Sequence, residues 1–303
     1  MCDQDEAIRM RGDSQPGGRL PGEQPLGEQP LGEHARRAAR TYGAAADHYR
    51  RPALGFWDRF GDATVSRLRL APGAGVLDLC CGAGASAIPA ARAVGPGGRV
   101  LGIDIAAPQL ELARARAAGE GLANVEFRYG DATRTGLPDA GFDAVVCVFG
   151  VFFAPDMAAF VREMWRLVGP GGVLAVTTWG PGLFEPANSE FWRCVGEAEP
   201  ALFKAFNPWD EITTPAALAG LFSRAGVPHP AVAAVTGEHH LDHPDGFWDV
   251  VLGSGYRATV EALGPEQREQ VRERLLAGLR SRAVRSLRTD VVFGTARRSS
   301  ASA

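Results

Sequence analysis

Residues 76–84 read Val76-Leu77-Asp78-Leu79-Cys80-Cys81-Gly82-Ala83-Gly84, and the rest of the chain is arranged about this stretch. An apolar run holding an acid crosses a cysteine pair into Gly-Ala-Gly and continues as the helix-like residues 85–94. The pattern predicts a buried strand that turns sharply into a helix across a glycine-rich corner. Glycine tolerates positive φ and lets a ligand approach the main chain, while a helix start presents unpaired N–H groups. The corner is therefore a candidate ligand site, with a tight turn that binds nothing as the alternative.

A second acid narrows the choice. Asp104 follows the apolar run Arg99-Val100-Leu101-Gly102-Ile103, twenty residues beyond Gly84. An acid ending the second strand of a βαβ unit is placed to accept hydrogen bonds from ribose hydroxyls, so the features together point to a nucleoside. A dinucleotide fingerprint would set Ala87 at its third small position, but Asp78 lies four residues ahead of Gly82. An acid that close repels a pyrophosphate and suits a ligand bearing an amine and a sulfonium cation. In this respect the stretch closely resembles the first cofactor motif of the class I S-adenosylmethionine (SAM)-dependent methyltransferases.

Further strand and helix units follow. Residues 107–118 are predicted helical with Leu110, Leu112 and Ala113 inward, and residues 125–129 alternate as a strand that runs into Gly130-Asp131-Ala132. The resemblance makes this the adenine end of the site, Asp131 taking the exocyclic amine and the next backbone N–H a ring nitrogen; a plain turn is the other reading. Residues 142–150 form a nearly continuous apolar run suited to a central strand, and Pro155-Asp156 opens a helix through Leu167 with Phe160, Met164 and Leu167 on its buried face. Gly169-Pro170-Gly171-Gly172 then turns the chain into a fifth strand over residues 173–179, another hallmark of the resembled family. Motif agreement runs from Asp78 to Trp179.

The resemblance implies a cofactor set that begins with Asp78, Cys80, Gly82 and Gly84 at the corner and Asp104 with Ile105 after the second strand. It continues through Gly130, Asp131 and Ala132 to Val148 and Phe149 at the end of the fourth strand. Many relatives carry a smaller residue where this chain has Cys80, whose carbonyl still reaches toward a cofactor amine. Ahead of the core, residues 34–70 are helical in pattern, with Leu54, Trp57, Phe60, Val65 and Leu68 on one face. In the resembled enzymes such a helix closes over the cofactor and the position of Tyr42 approaches it; simple packing of Tyr42 and Tyr49 is the other reading.

Composition bounds the class. The 303 residues are 46% hydrophobic with a net charge of −3, which fits one large α/β domain with additions. No apolar run approaches a membrane span, and the opening residues Met-Cys-Asp-Gln-Asp-Glu lack the features of a secretory signal, so a cytoplasmic location is expected. The five cysteines have no C-x-x-C spacing, which argues for reduced thiols and against a disulfide framework or a zinc site; no metal is expected. Cys80, Cys81 and Cys147 are expected on buried strands as small hydrophobes. Lys204 is the only lysine, arginine supplying the remaining basic charge, which reads as coding bias rather than as a nucleic-acid surface.

The predicted fold is α/β with N-terminal helices and an inserted C-terminal cap, and the resemblance implies a Rossmann-like seven-stranded sheet, mostly parallel with an antiparallel last strand and helices on both faces. Residues 1–33, rich in Gly, Pro, Gln and Glu, are expected to be a disordered tail, residues 34–70 to cover the cofactor, and residues 71–180 to form the binding core. The remainder completes the sheet with a helix over 214–225 and strands over 232–236 and 291–296. The long connection between those strands supplies a substrate cap over about 242–286, including a helix over 266–282.

Ligands of open α/β sheets sit beyond the carboxyl ends of the parallel strands, which places Phe152 and Phe153 after the fourth strand, Trp179 after the fifth and His243 after the sixth near an acceptor. Tyr49, with Trp248 and Tyr256 of the cap, completes the expected acceptor pocket, although core packing or a surface turn would also explain several of these. The resemblance implies methyl transfer from SAM to an apolar or aromatic small molecule, leaving S-adenosyl-L-homocysteine, with oxygen or carbon attack favoured and nitrogen attack left open. A hydroxyl acceptor would profit from a base, for which His240 and His239 are candidates and an exposed histidine pair the plain reading. A SAM-binding protein with a non-methylating role and an RNA or protein methyltransferase stand as alternatives. No nucleic-acid partner or membrane span is expected, and oligomeric state is left open.

Overall fold

The computed structural model describes residues 31–300. The tail expected over 1–33 therefore lies outside the described residues except for 31–33. The first ordered elements are α1 (Glu33–Ala45) and α2 (Phe56–Leu68), separated by turns and a short 3-10 segment at Pro52–Leu54. The core follows as β1 (Gly75–Leu79), α3 (Ala87–Val94), β2 (Arg99–Asp104), α4 (Ala107–Gly119), β3 (Val125–Tyr129), β4 (Phe142–Val148), α5 (Met157–Leu167) and β5 (Val168–Trp179). After it come α6 (Ala187–Ala198), α7 (Pro215–Arg224), β6 (Ala231–Val235), β7 (Glu238–His240), α8 (Gly246–Leu252), α9 (Arg257–Glu261), α10 (Pro265–Ser281), β8 (Ser286–Arg288) and β9 (Val291–Arg297).

The seven-stranded sheet has the order β3-β2-β1-β4-β5-β9-β6. β1 to β5 pair in parallel, while β9 runs antiparallel to both β5 and β6, as expected for a sheet with one reversed strand. Alternation along the strands divides the core. Val76, Val100, Val146 and Ala175 face a layer containing residues of α2, α3 and α4, whereas Leu77, Leu101, Cys147 and Val176 face the layer with α5 and α7. Because successive strand side chains point to opposite faces, both faces are apolar and both are covered.

Residues 236–290, between β6 and β9, do not run as a hairpin. They form the small β7–β8 sheet and carry α8, α9 and α10, which pack into the same core through Phe247, Val250, Val260, Leu275 and Leu279. The cysteine pair does not lie on a strand as expected: β1 ends at Leu79, ahead of both Cys80 and Cys81. Cys80 takes a left-handed conformation at φ 59°, followed by Gly82 at φ 50° and Gly84 at φ 83°, and these three residues bend the chain from β1 toward α3.

Candidate functional site

The corner after β1 meets the end of β2 through Asp104. Its Oδ2 accepts a hydrogen bond from the Gly82 N–H at 2.8 Å, and its Oδ1 accepts one from the Ala106 N–H at 2.8 Å. Burial raises the Asp104 carboxyl above its ordinary range, opposed by backbone N–H groups of Ala106, Gly82 and Ile105. A side chain built on Gly82 would meet nothing within 4 Å, so its backbone borders open space.

Asp78 lies one layer deeper. It is 1% exposed, its Oδ2 accepts from Ser86 Oγ at 2.7 Å, and its Oδ1 has no partner. Burial pushes its carboxyl up to about 7; Ser86 opposes this, the charge of Asp104 adds to it, and the Ala87 N–H opposes it again. Two acids thus share a buried region in which the groups resisting their protonation are dipoles and a hydroxyl rather than full positive charges.

Two cavities adjoin here. The inner one, about 140 Å³, is walled by residues of the corner, by Asp104–Ala106 and by side chains that include Tyr42, Trp57, Gln109 and Phe149. The outer one, about 600 Å³, runs past Gly130, Asp131 and Ala132 to the start of α1. Ala38, Cys80, Asp104, Ile105 and Phe153 border both. Pockets for drug-sized ligands measure about 300–1,000 Å³, a range that the outer space alone reaches, and the inner space extends it past Asp104.

Most of the residues expected to contact a cofactor border these spaces: Tyr42, Cys80, Gly82, Asp104, Ile105, Val148 and Phe149 the inner, and Gly130, Asp131 and Ala132 the outer. Asp78 and Gly84 do not. Asp78 stands behind Ser86, and Gly84 backs onto Ile88 and Phe127, so both shape the corner from within. Asp131 Oδ1 accepts from the N–H and the hydroxyl of Thr133, which fixes its side chain at the outer wall.

The expected acceptor set divides differently. Tyr49 and Phe153 line the inner cavity. Trp179 is instead a core residue stacked on Phe149 at 3.8 Å and 11°, and Phe152 packs edge-on to Trp209 at 5.4 Å. Tyr256 is 5% exposed and donates its hydroxyl hydrogen to Asn188 Oδ1 at 2.7 Å. Trp248 is half-buried on α8, and His243 is exposed beside Asp245, neither of them on a cavity wall.

The two histidines lie elsewhere. His239 and His240 belong to β7, whose pairing with β8 draws them away from both cavities. His239 packs edge-on to Phe56 at 5.2 Å with its Nε2 buried and unpartnered. Burial and then the Arg59 cation lower its pKa, against an opposing hydrogen bond with the Ala53 backbone. His240 is exposed on the opposite side of the strand, since neighbouring strand residues alternate.

Other contributors were not legible in the motifs. Arg116 of α4 donates to Ala83 O at 2.6 Å, to Asp58 Oδ1 at 2.7 Å and to Tyr49 Oη at 3.1 Å; Tyr49 in turn donates to Asp58 at 2.7 Å. This cluster ties the N-terminal helices to the glycine corner across long sequence separations, and no local pattern announces it. Gln109 carries a weak sequence signal, as a polar residue on the face of α4 that buries Leu110, Ala113 and Ala117.

Residues 76–172 match the family described as a methyltransferase domain. Nocamycin O-methyltransferase of Saccharothrix syringae is 33% identical over 61% of this chain and 60% of its own length. Demethylmenaquinone methyltransferase of Listeria monocytogenes is 38% identical over 37% of this chain and 47% of its own length. The chain thus spans roughly half of the curated relatives it matches. Among solved structures, Haemonchus contortus phosphoethanolamine N-methyltransferase 2 in complex with S-adenosyl-L-methionine is similar with a TM-score of 0.54 at 16% identity, over 89% of this chain and 61% of that one. YcgJ of Bacillus subtilis is similar at 0.51 and 17%, over 80% of this chain and 99% of that one. These likenesses are of fold.

Proposed function

We propose that this chain, whose residues 76–172 match a methyltransferase-domain family, moves a methyl group from SAM to an apolar or aromatic small-molecule acceptor, with oxygen or carbon favoured over nitrogen. The observation that carries the reading is the pair of buried acids at the glycine corner, Asp78 and Asp104, each with its carboxyl pushed upward. A cationic ligand supplies the positive charge this region lacks, whereas a pyrophosphate would add to the repulsion. The bound cofactor would supply a sulfonium methyl that the acceptor displaces in line, leaving S-adenosyl-L-homocysteine.

The residues suit such a ligand along its length. Asp104, with lone pairs beyond those used by Gly82 and Ala106, would take the ribose; Gly130, Asp131 and Ala132 would border the adenine; and the corner around Cys80 and Gly82 would receive the amino-acid end. Tyr42, Trp57, Phe149 and Phe153 form an aromatic enclosure suited to an apolar acceptor and to the exclusion of water. Alignment of the two reactants is then the main contribution of the protein. The names of the quinone-related and nocamycin-related relatives support a small-molecule acceptor.

Calorimetric titration with SAM and S-adenosyl-L-homocysteine, followed by a screen of acceptors with methyl-labelled SAM, tests the reading. Asp104→Ala is expected to weaken both ligands at least about tenfold, as charged hydrogen bonds contribute about 1.5–3 kcal/mol. Failure of the folded wild type to bind either ligand would overturn the assignment. SAM binding without formation of S-adenosyl-L-homocysteine alongside a methylated acceptor would favour a non-methylating role.

A further inference from the structure

The seven-stranded sheet ends in two unlike edges, β3 and β6. β3 carries Glu126 and Arg128, joined as an ion pair, and charged side chains on an edge strand discourage pairing with a further strand. β6 reads Ala231-Val232-Ala233-Ala234-Val235, with no charge, and each of its residues except the half-buried Val232 is exposed. It pairs with β9 on one side, and among the described residues no segment takes the outward backbone groups on the other. Such a neutral, open row of N–H and C=O groups is a template for one more strand.

The ends of β6 limit how that strand can lie. Pro230, just before it, has no N–H to offer. Just past it Gly237 is drawn inward, its N–H donating to Asp290 Oδ1 at 3.1 Å and its carbonyl accepting from the Thr289 N–H at 2.8 Å. The pairing row is therefore the five residues centred on Ala233. A β3 edge from another copy would set charges against this apolar row, and head-to-tail pairing of that kind leaves a free edge at each end of the assembly. A second β6 brings an identical neutral row, antiparallel about a two-fold axis, and closes the assembly with no like charges opposed. The flanking α7 adds none, since residues 215–223 of this helix beside β6 are uncharged.

We propose that two copies of this chain pair through β6, antiparallel and centred on Ala233, so that their sheets run on as one. Ala231 then stands opposite Val235 across the axis, and Ala233 opposite its own counterpart. β6 lies at the far end of the sheet from the glycine corner after β1, so the pairing leaves both cavities clear and is independent of the SAM reading.

Sedimentation equilibrium of the full chain from about 1 to about 100 μM, a span that covers moderate affinities, tests it on wild type, Ala233→Lys and Val235→Lys. Both positions are exposed, so one variant serves if the other folds poorly, and melting curves verify folding. Wild type should pass from monomer to dimer over this span. Ala233→Lys sets two ammonium groups opposite each other and Val235→Lys buries a cation against Ala231, so each should raise the midpoint concentration at least about tenfold. In a Cys2→Ser background, Ala233→Cys should cross-link into a dimer on oxidation, because facing Cα atoms of an antiparallel pair lie about 4.5–5.5 Å apart, within disulfide reach. A wild type that stays monomeric, a dimer that both lysine variants retain, or species that grow beyond two copies would each overturn the proposal. A dimer that fails to cross-link would overturn the stated axis.

Discussion

Asp78 is 1% exposed and burial pushes its carboxyl up to about 7. In an unfolded chain the same group titrates near its ordinary value of about 3.9. Between those values the folded chain holds the additional proton, so this residue's contribution to stability falls as pH rises through the window, and the penalty is complete above about pH 7. Thermal melts of Asp78→Asn between about pH 5 and about pH 8 should accordingly show a flatter pH dependence than wild type. An unchanged slope would place that dependence on other groups. The histidines give a contrasting expectation, since His239 packs on Phe56 and His240 faces solvent. With neither on a cavity wall, replacing both by glutamine should leave turnover within about twofold and its pH profile unmoved, because no proton transfer at the site passes through them. A lost inflection in that profile would reinstate one of them as a base.

At the scale of elements, α2 rests directly on the corner that follows β1. A side chain on Gly61 would come within 2.1 Å of Ala85 O, a backbone atom with little freedom to withdraw. Gly61→Ala should therefore displace α2 and destabilise the chain by about 1–3 kcal/mol, the range for overpacking. Ligand affinity should fall with it, because Trp57 of the same helix walls the inner cavity. A variant with an unchanged melting temperature and unchanged affinity would show that this contact does not position the site. The strand and helix pattern made α2 and its buried face legible, as Phe60, Val65 and Leu68 repeat at helical spacing. The contact of Gly61 with Ala85 was not legible, for it depends on how two elements cross. Likewise, the pocket residues placed by following strand order include Phe153, which does line the cavity, and Trp179, which the stacking against Phe149 consigns to the core.

For the whole molecule, the cofactor cleft lies between the corner of the sheet and the N-terminal helices, so a ligand there touches both parts of the chain at once. A ligand that binds only the folded state, supplied at about a hundred times its Kd, adds about 2.7 kcal/mol of stability. In a chain of this size that corresponds to a rise in melting temperature of about 5 °C. Differential scanning calorimetry with SAM and with S-adenosyl-L-homocysteine measures it, and a shift absent at saturating ligand would contradict binding in this cleft. The sequence by itself determined the strand-to-helix corner at Asp78–Gly84, the acid after β2 and the doubly covered sheet. Each is set by local periodicity, glycine conformations or motif spacing within a few tens of residues. Only the tertiary structure decided that His239 and His240 leave the site with the β7–β8 pair, that Arg116 clamps Ala83 to Asp58 and Tyr49, and that Gln109 keeps a buried oxygen free. Those outcomes depend on which distant surfaces are buried against each other and which polar atoms are left unpaired there, and a hydrophobic pattern read along one element contains neither.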